Sequence, residues 1–180
     1  ELGLAEDTVV VFFSDNGGLR RRYDGEGPLV TSNAPLRDEK GSIYEGGIRE
    51  PLVVRWPGVI QAGTVCSEPV SSVDLLPTFA EVAGQPAPEG VDGVSLTPAL
   101  ESRKMPRRPL FWHYPHSHHS TPAGAIRQGR WKLIEFFEDG KLELYDLESD
   151  IGETRNLAAE MPARAERLHR KLAEWRQEIH

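Results

Sequence analysis

Val9-Val10-Val11-Phe12-Phe13-Ser14-Asp15-Asn16-Gly17-Gly18 is the stretch on which the reading of this chain turns. Five apolar residues, β-branched and then aromatic, run without interruption into Ser-Asp-Asn and two glycines. A continuous apolar run of this kind predicts a strand buried on both faces of a parallel sheet. Open α/β sheets gather ligands just past the carboxyl ends of their strands, which is where Asp15 and Asn16 fall. A carboxylate beside an amide oxygen offers the hard donors that Ca²⁺ or Mg²⁺ takes, and the glycines allow a sharp turn and close approach of backbone. The same residue types also make an ordinary strand-to-loop turn, and these ten residues alone favour the turn.

Outward from this stretch the chain alternates between apolar runs and loops. Leu2 to Asp7 reads as the tail of a helix already under way, so the chain is expected to be a fragment or the later part of a longer one, and localisation stays open. Residues 17–39 form a long irregular stretch rich in Gly and Pro, a length usually functional or disordered. Leu52 to Trp56 is a second apolar strand closed by Pro57-Gly58, and residues 65–70 suggest a short extended piece. Val73 to Ala83 reads as a helix, with Ser71-x-x-Asp74 as its capping box, Pro77 near its start and Gly84 at its end. Residues 85–108, rich in Pro and Gly with a basic cluster at 103–108, mark a junction between subdomains.

The last third changes character. Leu110 to Tyr114, Ala125 to Arg127, Trp131 to Phe137 and Leu142 to Leu147 are short strand candidates, with Asp139-Gly140 as a hairpin signal. Met161, Ala165, Leu168, Leu172, Trp175 and Ile179 repeat at helical spacing, with Pro162 in the first turn, and predict an amphipathic helix lying on the small sheet.

Composition narrows the function classes. The formal net charge of −7 argues against general binding to nucleic acid or anionic membranes. The run Arg20-Arg21-Arg22 is a local exception, either a solvated loop or an aid in attracting an anionic substrate. No segment approaches the roughly 18 unbroken apolar residues of a membrane span. One cysteine, Cys66, rules out an intrachain disulfide and a cysteine-based zinc site.

The chemistry becomes specific when a second segment is set beside the first: Asn33-Ala34-Pro35-Leu36-Arg37-x-x-Lys40-Gly41-x-x-Tyr44-Glu45-Gly46-Gly47-Ile48-Arg49-x-Pro51. Together with Ser14-Asp15-Asn16-Gly17-Gly18 it resembles the sulfatases of the arylsulfatase type, within the alkaline-phosphatase-like superfamily. Further matches follow in order: Trp56-Pro57-Gly58, Ser72-Val73-Asp74-Leu75-x-Pro77-Thr78, Asp92-Gly93-Val94-Ser95-Leu96, Trp131-Lys132-Leu133-Ile134 and Leu144-Tyr145-Asp146-Leu147. The likeness covers essentially the whole chain.

That resemblance implies roles. Asp15 and Asn16 match the family's ligands of a divalent cation, usually Ca²⁺, whose charge reverses the local field that Asp15 alone would present to a sulfate. Ca²⁺ takes about 6–8 oxygens; the family's further carboxylates lie near the start of the catalytic domain, so the cation is expected to be weakly held or absent here. Lys40 matches the lysine that contacts the substrate sulfate, a compact charge with three donors. Glu45, Gly46, Gly47 and Arg49 read as structural, with the Glu and Arg pairing or fixing the loop. Arg37 either touches substrate or braces Asp38 or Glu39. The family nucleophile is a formylglycine made in a Cys-x-Pro-x-Arg motif. Cys66, followed by Ser67-Glu68-Pro69-Val70, does not fit that motif and is expected to be a small apolar filler. The cluster His113-Tyr114-Pro115-His116-Ser117-His118-His119 reads first as a solvated loop, second as a substrate contact through His113 and His116, and third as a transition-metal site.

The expectation is therefore an α/β chain: the C-terminal portion of a mostly parallel sheet with flanking helices over 1–104, and a small antiparallel sheet with a C-terminal helix over 105–180. Its function is read as part of a sulfate monoesterase, inactive alone, needing the rest of its catalytic domain, with a sulfated small molecule or polysaccharide as substrate. The resemblance implies a periplasmic or secreted protein. A related phosphoester or phosphonate hydrolase and a non-catalytic module of the same fold remain the alternatives.

Overall fold

The structure, a computed structural model, describes residues 2–20, 26–117 and 120–179. Arg21 and Arg22 of the basic run, and His118 and His119 of the histidine cluster, lie outside the described residues. In chain order the elements are β1 (Val10–Phe13), α1 (Glu45–Ile48), β2 (Leu52–Arg55), α2 (Leu75–Val82), α3 (Thr97–Leu100), β3 (Leu110–Tyr114), β4 (Ala123–Gln128), β5 (Trp131–Phe136), β6 (Leu142–Asp146) and α4 (Pro162–Glu178). They divide into two units, one of residues 1–15 and 51–107, the other of 16–50 and 108–180. The segment 16–50, assigned from sequence to the first domain, thus packs with the C-terminal elements.

In the first unit β1 pairs with β2, and the expectation for β1 is corrected. The pairing is antiparallel, from Val10 opposite Arg55 to Phe13 opposite Leu52. Nor is the strand buried on both faces: Phe12 is 64% exposed and Val53 is 60% exposed. The physical reason is local. Among the described residues β1 has β2 as its one partner, and a two-stranded ribbon leaves apolar side chains uncovered. Residues 65–70 form no strand, and Cys66 is exposed rather than a buried filler. The turn before α2 closes as expected: the Ser71 N–H donates to Asp74 Oδ2 at 2.8 Å in a capping box. The Val94 N–H reaches Asp74 Oδ1 at 3.0 Å, and the Leu96 N–H reaches Thr78 Oγ1 at 2.8 Å. Two motifs twenty residues apart are thereby held together through fully buried Asp74.

The second unit is built on the meander β3-β4-β5-β6, antiparallel throughout. The Asp139-Gly140 signal marks the β5–β6 hairpin, with Gly140 at φ 69°. α4 covers one face of the sheet. Its stripe Ala165, Leu168 and Leu172 packs against Ile126, Leu133 and Leu144, with Met161 and Trp175 at the margin. Phe111 stacks on Trp175 with centroids 4.8 Å apart. The other face is covered by Ile43 and Tyr44, which pack on Ala123, Ala125, Ile134, Tyr145 and Leu147. A sheet covered on both sides explains why β4 opens on the unbroken run Ala123-Gly124-Ala125-Ile126 and why adjacent residues of β5, Leu133 and Ile134, are both buried.

Candidate functional site

The segment covering the second face of the sheet is the one that carries Lys40. Its backbone is tied at nearly every step. The Gly46 N–H donates to the Arg37 carbonyl at 2.7 Å, and the Ser42 N–H to the Glu39 carbonyl at 3.1 Å. The Asn33 amide nitrogen donates to the carbonyls of Gly18, Asp38 and Gly46 at 2.8, 3.1 and 3.1 Å. Ser120 Oγ donates to the Gly41 carbonyl at 3.2 Å. The carbonyls at 37, 38, 39 and 41 are therefore all held, and Lys40 sits among them. Its side chain is half-buried and, among the described residues, makes no hydrogen bond or ion pair. The backbone around Lys40 is thus fixed, while among the described residues its ammonium is left without a partner.

The two motifs join at the glycines. The Gly17 N–H donates to the Gly47 carbonyl at 3.0 Å. A Cβ at Gly17 would collide with the Gly46 carbonyl, and one at Gly47 with the Ser42 carbonyl. The chain just past Asn16 and the turn just past Lys40 therefore lie in backbone contact. Asn16 itself is half-buried and engaged. Asp15, at the end of the first unit, is exposed. For a cation the pair is right in kind, since both present hard oxygens, but two residues fall short of the oxygens Ca²⁺ takes. Among the described residues no group of three or more His, Cys, Asp or Glu side chains is placed to hold a metal.

Beneath this segment lies a charged cluster that sequence reasoning missed. Lys132, the second residue of β5, is 0% exposed. Its Nζ lies 2.9 Å from Glu45 Oε1 and 2.8 Å from Glu153 Oε1. Both carboxylates are as deeply buried as the lysine. Glu45 also accepts Arg49 Nε at 2.5 Å, as the pairing expected from sequence, and has Arg127 at 3.7 Å. Burial opposes ionisation of Glu45, but Lys132 and Arg49 more than offset it and hold its carboxyl below the usual range. In Glu153 burial outweighs Lys132, and its carboxyl is pushed up. Glu153 stands at φ 51° just after β6, and its Oε2 accepts the Glu45 N–H at 2.6 Å. A lysine flanked by Trp131, Leu133 and Ile134 was the available signal, because a charge inside a doubly covered strand must find a partner.

Arg37 braces neither Asp38 nor Glu39. Its Nη1 donates to the Tyr145 hydroxyl at 3.0 Å and to the Glu153 carbonyl at 2.8 Å, and the guanidinium lies 3.7 Å from the Tyr44 ring centroid. Tyr44 and Tyr145 each donate to Glu143 Oε2 at 2.7 Å, and Lys141 reaches Oε1 at 2.7 Å. Burial and these bonds to Glu143 push both phenols up. His113 lies on β3, half-buried and engaged, with its ring 5.4 Å from that of Phe137. His116 is exposed and meets the Tyr114 ring edge-on at 5.4 Å.

The four-stranded antiparallel sheet, the two-stranded sheet and the C-terminal helix match the C-terminal part of solved sulfatase structures. The chain belongs to the sulfatase family: residues 38–178 match the family model described as N-sulphoglucosamine sulphohydrolase, C-terminal. It is 38% identical over 193 aligned positions to a sulfatase of Formosa agariphila, covering 96% of this chain and 34% of that protein. A protein solved with its substrate D-glucosamine-2-N,6-O-disulfate is 32% identical, with a TM-score of 0.77 over 98% of this chain and 35% of that one. A phosphonate monoester hydrolase from Silicibacter pomeroyi is 30% identical, with a TM-score of 0.64 over 77% of this chain and 31% of that one. The chain spans about a third of the length of the curated relatives it matches.

Proposed function

We propose that this chain is the C-terminal part of a sulfuric ester hydrolase, to which it contributes a sulfate contact and half of a metal site. The observation that carries the reading is Lys40, whose backbone neighbours are fixed while its ammonium has no partner among the described residues. A sulfate monoester brings negative charge that must be bound and then stabilised as the bond to the leaving oxygen breaks. A preset ammonium does this without reorganising its backbone. Asp15 and Asn16 would hold Ca²⁺, and the bound cation would supply further positive charge against the sulfate oxygens. The nucleophile is expected to be a formylglycine elsewhere in the catalytic domain, since no Cys-x-Pro-x-Arg occurs in these 180 residues. A sulfated saccharide is the favoured substrate class, supported by the relative solved with a disulfated glucosamine. The likeness to bacterial sulfatases supports a place in the periplasm or outside the cell; among the described residues no helix is long and apolar enough to cross a membrane.

The test uses the complete catalytic protein with 4-nitrophenyl sulfate. Lys40→Ala should lower kcat/KM by about 10²–10³-fold, the loss typical of one oxyanion-stabilising group. The 180-residue chain alone should give no turnover with Ca²⁺ present. Unchanged kcat/KM in the variant overturns the role of Lys40, and turnover by the purified chain overturns the division of labour. The likeness to a phosphonate monoester hydrolase supports a second reading, in which the scissile ester is a phosphonate. Comparing kcat/KM for the aryl sulfate and an aryl phosphonate decides between them.

A further inference from the structure

The loop from Arg37 to Glu45 hangs on one residue at both of its ends. Glu153 accepts Arg37 Nη1 on its carbonyl at 2.8 Å and the Glu45 N–H on its carboxylate at 2.6 Å. Lys40 lies between those two attachments. Lys132 stands behind them, 2.8 Å from the Glu153 carboxylate and 2.9 Å from that of Glu45. All three side chains are essentially without solvent exposure. Without the lysine, two carboxylates would share a dry site and repel each other across the Glu45 N–H bond. The loop would then be released at one end. Gly46, which follows Glu45, would carry the disturbance to the Arg37 carbonyl and to Asn33, and through them to the backbone on either side of Lys40.

We propose that Lys132 and Glu153 are positioning residues for Lys40: a buried ion pair on the C-terminal sheet that sets where the sulfate-binding ammonium stands. The pair touches no substrate and acts through Glu45 and the Arg37–Glu45 backbone. This assignment rests on Lys40 being the sulfate contact. It gives the C-terminal antiparallel sheet a part in substrate binding through Lys132 of β5. It also accounts for a lysine where the pattern of β5 calls for an apolar side chain.

The test is a double-mutant cycle in the complete protein, read as kcat/KM for 4-nitrophenyl sulfate and as inhibition by inorganic sulfate. Lys132→Met should lower kcat/KM by about 30-fold and weaken sulfate inhibition in proportion, because contacting residues couple rather than add. Lys132→Met combined with Glu153→Gln removes one charge of each sign and should recover to within about threefold of the parent. In a Lys40→Ala background, Lys132→Met should change either quantity by less than about twofold, since the group it positions is gone. Should Lys132→Met not yield folded protein, the same cycle is run with Glu153→Gln, which keeps the side-chain shape and should show a smaller loss that again vanishes in the Lys40→Ala background. A loss that persists in full without Lys40 overturns the positioning role, as does a folded Lys132→Met protein with parental sulfate inhibition. The two readings separate cleanly: a Lys40→Ala protein with parental kinetics sinks the sulfate contact itself, whereas a weakened Lys40→Ala protein on which Lys132→Met acts in full sinks only the positioning.

Discussion

Glu45 and Glu153 share one lysine at nearly equal distances and are equally buried, yet neutralising them should have unequal consequences. Glu45→Gln removes an anion that faces Lys132 at 2.9 Å, Arg49 at 2.5 Å and Arg127 at 3.7 Å. It leaves Glu153 as the one anion beside Lys132, and the expected destabilisation is about 3–5 kcal/mol, the cost of breaking a buried pair from one side. Glu153→Gln takes away a carboxylate that burial already disfavours. The amide oxygen can keep either the Lys132 contact or the Glu45 N–H bond, so one donor is left unmet at a cost of about 1–3 kcal/mol, partly offset by the relief of a buried charge. The pH dependence should also differ in sign. Glu45 has its carboxyl held below the ordinary value of 4.5, so the stability it contributes is present above that value and lost as pH falls through the folded one. The cost of Glu45→Gln is then full at pH 7 and shrinks on acidification below 4.5. Glu153 has its carboxyl held above 4.5, so its native state keeps the proton longer than the unfolded chain does, and stability is lost as pH rises from 4.5 through the folded value. The cost of Glu153→Gln should therefore shrink as pH rises across that window, by up to about 1.4 kcal/mol per pH unit. Native-state hydrogen exchange at the Gly46 and Gly47 amides, bonded to the Arg37 and Tyr44 carbonyls, reads the opening free energy of this segment directly. Measured at pH 4, 5.5 and 7, equal costs for the two variants, or costs that move in the same direction with pH, would refute the reasoning.

Tyr44→Phe deletes one of two phenol donors to Glu143 while keeping the ring on which Arg37 lies; a loss of about 1.5–3 kcal/mol is expected for a hydrogen bond to a charged group, measured by the same exchange method, and no loss would show that Tyr145 and Lys141 alone satisfy Glu143. Leu168→Ala on α4, at 2% exposure against Ile126 and Leu133, should cost about 2–5 kcal/mol in urea unfolding followed by tryptophan fluorescence, and a cost below 1 kcal/mol would mean that α4 does not hold that face of the sheet.

What could be read from sequence follows the range over which each signal acts. The apolar stripe of α4, the Asp139-Gly140 turn and the Ser71–Asp74 capping box are each decided within a few residues, and each is found where it was expected. The Glu45–Arg49 pair, four apart in the chain, was legible for the same reason. β1 was not, because an apolar run reports that a strand is suited to burial but not which strand lies beside it or what covers its faces. The Lys132 cluster was not legible either. Its members are 87 and 108 residues apart in sequence, and nothing in a local pattern says that a lysine in β5 faces a glutamate before the meander and another after it. The motif Lys40-Gly41-x-x-Tyr44-Glu45-Gly46-Gly47 joins the lysine proposed to bind sulfate to Tyr, Glu and Gly residues that fasten the segment to the rest of its unit. Tyr44 is fastened to Glu143, Glu45 to Lys132, and the glycines to Gly17 and the Arg37 carbonyl. Each of those fastenings ends on residues 108–180 or on the segment following Asn16. A residue at the site can therefore be lost by a substitution far from it, and the buried charges of the meander are where such substitutions should fall.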